Sequence, residues 1–370
     1  MSGVLILGTD VFSKGGIQRY TRYQFAALQA TQSAQVGLFS LYSPKSGNQF
    51  EERVDVVYVA SGLSTMSKLR YAWNVLQFVR KYRVSLIIST HLQLSIIAYV
   101  AKLLFGTRYA TNIYGIEVWG DLRFRDRLGL LKSDHLIGDC RFVLNYVQKN
   151  FEFHGDTLLL YDPVDMDRFR PVPASEEVAR RYGIPRDAMI VMTVGRLERN
   201  KGHRVMIETL GRLPRNVVYV VVGGGFMDEE LREWARANGV SDRVIFTGRI
   251  PEDDLVSVYN LADVVLLLST FGRGEGEGLP LGLIEGSACA KPIICGNEDG
   301  SAEAYDVDTP NGYLVSPTDV AAVANALTDY LHSPELRKQH GEAGRRYVER
   351  NFNFLGFRSK LGEMAAKYLR

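Results

Sequence analysis

The sequence predicts an α/β protein built from two doubly wound, Rossmann-like domains that face each other across a cleft. Three observations predict it. At 370 residues the chain is too long for one ordinary core and suits two, each of roughly 150–200 residues. Short β-branched runs alternate with helical patterns from end to end, the arrangement of parallel strands joined by crossover helices. The alternation pauses once, at YDPVDMDRFRPVP (Tyr161–Pro173), a linker candidate with three prolines, and then begins again.

In the first half, strands are expected at Val4–Gly8, Val36–Leu41, Val54–Val59, Leu86–Ser89, Tyr109–Ile113, His135–Ile137 and Leu158–Tyr161. In the second half the runs are nearly continuously apolar, as expected of strands covered on both faces. They are Met189–Gly195, Val217–Gly225, Val244–Gly248, Val264–Ser269, Pro292–Gly296 and Gly312–Val315. The long apolar segment Leu86–Gly106 is interrupted by His91, Gln93 and Lys102, so it divides into a strand and a buried helix from Gln93 to Leu104 rather than a membrane span. The last nineteen residues, FNFLGFRSKLGEMAAKYLR, read as an amphipathic helix.

A hydrophobic share of 46% with 23% charged residues excludes a disordered or fibrous chain. Cys140, Cys289 and Cys295 have no metal or disulfide spacing and are expected to be buried small side chains. The N-terminal MSGVLILGTD has no basic residue before its apolar run and no cleavage site, so it reads as a first strand in a cytoplasmic protein. The net charge of +2 conceals an asymmetry: residues 1–165 carry 18 Lys+Arg against 13 Asp+Glu, whereas the remainder carries 26 against 29. Within the basic half, Met66–Val84 mixes Lys68, Arg70, Arg80, Lys81 and Arg83 with Tyr71, Trp73, Phe78 and Tyr82 at helical spacing. Such a helix either faces the core with basic ends or rests on an anionic membrane, at the inner face of the cell membrane.

The chemistry gathers where strands end. Gly15-Gly16 precedes a helix, and glycine at a helix entrance lets the backbone approach a ligand with its N–H groups free. In the second half, Arg196 follows a strand and Lys201-Gly202 precedes a helix, a pair of cations suited to a diphosphate. Gly223–Gly225 also follows a strand but lacks dinucleotide spacing. The glycine-rich run Ser269–Gly300 leads into a helix near Pro280, so the amides around Gly278–Leu281 are unpaired and available to an anion. Glu277 and Glu285 flank that position, where carboxylates accept hydrogen bonds from hydroxyl groups. Phosphates in the middle and hydroxyls at both ends describe a nucleotide sugar.

Glu277 and Glu285, with seven residues between them in EGLPLGLIE, resemble the paired glutamates of retaining glycosyltransferases of the GT-B fold, group 1 type. GGIQRY, DPVDMDRF, VGRLERNKG and GSAEAYDVDTPNGYLVSPTD are similar to other motifs of that group, in the same order along nearly the whole chain. The resemblance implies an acceptor-binding domain over 1–170, a nucleotide-sugar-binding domain over 171–350 and a last helix, 351–370, that returns to the first domain. It implies that Arg196 and Lys201 hold the donor diphosphate, with Gly278 and Leu279 supplying amides and Gly16 approaching from the other domain. Glu285 would hold the ribose and Glu277 the transferred sugar. Catalysis would rest on Glu277, Arg196 and Lys201, with retention at the sugar and with neither metal nor cofactor. The donor would be a UDP- or GDP-sugar carrying mannose, glucose or N-acetylglucosamine. The acceptor would be a glycan or lipid-linked sugar in cell-surface polysaccharide or glycolipid synthesis, and no nucleic acid is involved.

Many members of that group have a histidine before a glycine in the first domain, where this chain has Tyr114 before Gly115. His91 is then the nearest histidine for an acceptor-side role, with a structural role as the other reading. Glu117 either contacts the acceptor or caps its loop. Three rivals stand beside this reading. A metal-dependent transferase would use the Asp-x-Asp pairs at Asp165–Asp167 or Asp306–Asp308. A nucleotide-sugar epimerase would need further bases. A nucleotide- or carbohydrate-binding protein would turn nothing over.

Overall fold

The structure is a computed structural model, and it describes residues 3–31, 35–50, 54–60, 62–272 and 274–369. The first half runs β1 (Gly3–Asp10), α1 (Gly16–Gln29), β2 (Gln35–Tyr42), β3 (Tyr58–Val59), α2 (Thr65–Tyr82), β4 (Val84–Ser89), α3 (Ser95–Phe105), β5 (Arg108–Ile113), α4 (Phe124–Leu131), β6 (His135–Gly138), α5 (Arg141–Phe151) and β7 (Asp156–Leu159). The second half begins with α6 (Glu176–Tyr182), β8 (Met189–Val194), α7 (His203–Leu210), β9 (Val217–Val222), α8 (Asp228–Ala237), β10 (Val244–Gly248) and α9 (Glu252–Leu261). It continues with β11 (Val264–Leu267), α10 (Leu281–Ala288), β12 (Ile293–Gly296), β13 (Gly312–Val315), α11 (Val320–His332), α12 (Pro334–Asn351) and α13 (Phe354–Ala366). The chain forms two compact units, Met1–Asp162 with Leu355–Arg370, and Pro163–Phe354.

The first unit holds a seven-stranded parallel sheet in the order β3-β2-β1-β4-β5-β6-β7. Successive side chains of β1 alternate between its faces, so Val4 and Ile6 join one core and Leu5 and Leu7 the other. The first core is completed by Tyr20, Phe25 and Leu28 of α1 and by Phe357, Leu361 and Met364 of α13. The second is completed by Tyr71, Val75 and Val79 of α2 and by Ala98 and Ala101 of α3. The second unit holds a six-stranded parallel sheet in the order β10-β9-β8-β11-β12-β13. Its core runs through Val191, Leu197, Met206, Tyr219, Leu231, Leu266 and Leu327.

All six expected strands of the second unit are present, although β9 stops at Val222 and leaves the three glycines as a loop. Of the expected strand Val54–Val59 only Tyr58–Val59 pairs, as an edge strand with β2 as its one partner. The last strand of the first unit lies two residues earlier than expected, Asp156–Leu159, also at an edge. Both strands are exposed or only half-buried, so burial imprints little apolar pattern on them, whereas β10 and β13, the edges of the second sheet, keep their expected bounds.

Helix α13 supplies the first unit with buried side chains from the far end of the sequence. Phe357 lies edge-on to Tyr20 with ring centroids 5.5 Å apart, and Tyr368 bonds His135 Nδ1 at 2.8 Å. Phe357→Ala is therefore expected to destabilise the first unit by about 3–4 kcal/mol, measured by urea unfolding. A cost within about 0.5 kcal/mol, typical of surface positions, would remove α13 from that core.

In each sheet the strand order reverses next to its first strand, between β1 and β4 and between β8 and β11. Ligands of doubly wound sheets bind outside the carboxyl ends of the strands at such reversals. These two places hold the candidate residues.

Candidate functional site

In the second unit β8 leads into Gly195, Arg196 and a single 3-10 turn, Arg199–Lys201. Gly202 then opens α7 with φ 71°, in the left-handed region. A Cβ added there would lie 2.2 Å from the backbone oxygen of Leu268, so only glycine lets this turn close onto the end of β11. The turn is also tied by Thr270 N–H donating to Asn200 O at 2.9 Å. Behind it runs a chain of neutral hydrogen bonds across four elements. His203 Nδ1 bonds Tyr219 Oη at 2.7 Å, Tyr219 Oη donates to Thr193 Oγ1 at 2.9 Å, and Thr193 Oγ1 donates to Leu266 O at 2.8 Å. Burial pushes His203 down to about 4, so it is a neutral strut rather than an acid or base.

Facing this turn, the glycine-rich run reaches Glu277, whose backbone N–H donates to Asp299 Oδ2 at 2.8 Å. The other Asp299 oxygen accepts from Ser301 N–H at 2.9 Å, and Gly300 N–H donates to Glu277 O at 3.1 Å. The loop after β12 thus clasps the strand of chain that carries Glu277 and Gly278. A Cβ on Gly300 would lie 2.2 Å from Gly278 O. The side chains of Glu277 and Lys201 form an ion pair and are 18% and 13% exposed. Arg196 is 66% exposed and pairs with Glu198 at 2.6 Å. Leu279 is buried, and helix α10 follows Pro280 with no side-chain cap on its first turn. Glu285, the fifth residue of α10, is buried and accepts from Tyr259 Oη at 2.9 Å, which orients its carboxylate.

Arg196, Lys201, Glu277, Gly278, Leu279 and Glu285 therefore lie together around one crevice of the second sheet. Three further residues take part that sequence reasoning did not single out: Glu198, Tyr259 and Asp299. Asp299 sits one residue before the motif beginning at Gly300, and Tyr259 looks like any core tyrosine of an amphipathic helix. Cations, uncapped amides and hydroxyl-accepting carboxylates in one place fit a sugar diphosphate.

Burial lowers Lys201 to about 8, with Arg196 adding to the fall and Glu198 and Asp299 opposing it. The ammonium is charged below that pH and is lost as pH rises through it. A bound diphosphate holds the proton on, so donor affinity is expected to be level below about pH 8 and to fall by up to about tenfold per unit above it. Calorimetric titration between about pH 6.5 and about pH 9.5 checks this, and a flat profile would contradict it.

In the first unit Gly16 is the first residue of α1, and no side chain caps that helix. His91, Tyr114 and Glu117 lie at the carboxyl ends of the neighbouring strands β4 and β5. His91 Nδ1 accepts from Gln93 N–H at 3.3 Å, capping a short turn, and burial lowers its pKa. Tyr114 Oη accepts from Asn112 Nδ2 at 2.9 Å and donates to Thr90 O at 3.1 Å, while Asn112 in turn bonds Gln24. The hydroxyl is thus engaged by the sheet, and burial holds its pKa well above 10. Glu117 Oε1 accepts from Tyr114 N–H at 2.7 Å, a loop cap, and burial raises its carboxyl to about 7.

The first carboxylate of each Asp-x-Asp pair is a turn cap. Asp165 Oδ1 accepts from the N–H groups of Asp167 and Arg168, and Asp306 Oδ1 from that of Asp308. Among the described residues no group of three or more His, Cys, Asp or Glu side chains is placed to hold a metal ion. The three cysteines are buried. No described helix is long and apolar enough to cross a membrane.

Residues 174–347 match the family model described as "Glycosyl transferases group 1". The chain is 31% identical over 281 residues to the "GDP-mannose-dependent alpha-(1-6)-phosphatidylinositol monomannoside mannosyltransferase" of Mycolicibacterium smegmatis, covering 73% of each protein. This chain is a group 1 glycosyltransferase. The transferase is also 25% identical to the "GDP-mannose-dependent monoacylated alpha-(1-6)-phosphatidylinositol monomannoside mannosyltransferase" of Corynebacterium glutamicum, over 92% of its own length and 91% of that protein. In fold it is similar to the Anabaena protein Alr3699/HepE solved with UDP, with a TM-score of 0.81, 15% identity and coverage of 99% and 100% of the two chains. The glycosyltransferase has two Rossmann-like units of the GT-B type.

Proposed function

We propose that this glycosyltransferase moves mannose from GDP-mannose to an inositol-based glycolipid, with retention at the anomeric carbon and without a metal ion. One observation supports the donor reading: Lys201 pairs with Glu277 just ahead of α10, whose first turn has no side-chain cap and whose fifth residue is Glu285. Mannose, GDP and the lipid acceptor follow from the names of the relatives above.

In this scheme the diphosphate rests on Lys201, Arg196 and the amides of Gly278 and Leu279. Glu285 accepts from the ribose and Glu277 from the hexose. As the bond from the anomeric carbon to the phosphate oxygen breaks, charge grows on that phosphate. Lys201 and the amides stabilise it there. The phosphate oxygen takes the acceptor's hydroxyl proton as the acceptor oxygen bonds the same face of the sugar. Two cations and a helix N-terminus supply the neutralisation that a metal gives elsewhere, and the first carboxylate of each Asp-x-Asp pair is engaged in a turn. Transfer of labelled hexose to a phosphatidylinositol-type lipid, from a panel of GDP- and UDP-sugars with EDTA present, tests the reading. An α-linked product from GDP-mannose is expected. Loss of transfer in EDTA, or a β-linked product, would contradict it.

Membrane contact belongs to the same proposal. On α2, Ser67, Tyr71, Val75 and Val79 are buried, whereas Met66, Leu69 and Trp73 on the opposite face are 67%, 61% and 63% exposed. Lys68, Arg70, Arg80, Lys81 and Arg83 accompany them, and residues 65–83 contain no Asp or Glu. Large apolar side chains rimmed by cations fit an anionic lipid surface. Co-sedimentation with vesicles containing phosphatidylglycerol is expected, together with a blue shift of Trp73 emission. Glu at Arg80, Lys81 and Arg83 should abolish both; binding that survives this reversal would contradict the contact.

A further inference from the structure

We propose that the Lys201–Glu277 ion pair couples the two halves of the donor, so that the site holds an intact nucleotide sugar in preference to the free nucleotide that transfer leaves behind. This rests on the donor reading above. Lys201 is the cation meant for the diphosphate and Glu277 the carboxylate meant for the hexose, yet without ligand they satisfy each other. Both are largely removed from solvent, so separating them is costly unless each gains a new partner.

A diphosphate provides Lys201 with its new partner. Glu277 then has no cation. Its backbone is pinned by Asp299 and Gly300, so its carboxylate cannot swing out to water and stays largely buried without a counter-charge. Arg196 does not replace Lys201 at Glu277, because in the donor scheme above its guanidinium is itself engaged by the diphosphate. Hexose hydroxyls donating to Glu277 remove the penalty, whereas free nucleotide has no hydroxyl at that position. Once the hexose has left, Glu277 competes again for Lys201 and displaces the nucleotide. The pair therefore links sugar occupancy to diphosphate affinity and favours release of the spent nucleotide.

The test is a calorimetric double-mutant cycle with Glu277→Gln, Lys201→Met and the double variant, titrated with GDP and GDP-mannose and with UDP and UDP-glucose. Glu277→Gln is expected to bind free nucleotide about fivefold tighter than the parent protein and intact donor no tighter, the size of a partly buried pair. In the Lys201→Met background the same change should give no tightening. Unchanged or weaker nucleotide binding by Glu277→Gln would overturn the proposal. So would tightening that persists without Lys201, since that marks general charge repulsion. If the parent protein binds no nucleotide, the donor reading itself falls, and this inference with it.

Discussion

Lys201→Met is expected to lower kcat/KM by about a thousandfold, the upper range for removing one preorganised group that stabilises transition-state charge. Lys201 is the least exposed cation of the crevice, 13% against 66% for Arg196, so its field is the less screened. Methionine keeps the length and the apolar stem, which confines the change to the charge. The loss should fall mainly on kcat, because charge on the leaving phosphate is greatest in the transition state. Donor affinity should fall by much less, since Arg196 and the α10 amides still meet the ground-state diphosphate. A loss confined to KM would place Lys201 in uniform binding and deny it a catalytic share.

Gly202→Ala is expected to destabilise the second unit by about 3 kcal/mol or more, through two separable causes. The left-handed φ of 71° costs a non-glycine residue about 1–2 kcal/mol. The rest comes from collision: the new Cβ would lie 2.2 Å from Leu268 O and 2.5 Å from Leu268 Cβ, and Leu268 is fully buried. Relief requires the start of α7 to move away from β11, taking Lys201 with it, so activity should fall even where the fold survives. Gly183 supplies the control. It has φ 67° and no atom within 4 Å of an added Cβ, so Gly183→Ala should show the conformational cost alone. Urea unfolding of both variants reads the difference, and equal costs would mean that the turn yields without resistance.

The strands at the centre of each sheet were legible because burial on both faces makes them continuous apolar runs, as in VVYVVV of β9. The edge strands of the first sheet were not, since β3 and β7 bury little, and β3 shrank to Tyr58–Val59; β10 and β13, the edges of the second sheet, keep the bounds expected for them. At the site, Arg196, Lys201 and Glu277 could be singled out because glycine and charge gather in the loops after β8 and β11, and Glu285 because of its spacing from Glu277. Their partners could not be read. Asp299 reaches Glu277 across 22 residues and Tyr259 reaches Glu285 across 26, contacts between segments that meet only once the second sheet and its helices have packed. His91 and Tyr114 show the converse. Their residue types invite a chemical role, whereas their polar atoms cap a turn and brace the ends of β4 and β5.

In the function proposed above, the crevice between β8 and β11 binds a sugar nucleotide through Lys201 and passes on its hexose. Calorimetric titration of GDP-mannose into the parent protein and into Lys201→Met, in buffer containing EDTA, tests it most directly. The expected result is a single site in the parent protein, with a proton taken up above about pH 8 and lost with the lysine. Binding that requires a divalent metal, or that is the same with and without Lys201, would contradict it.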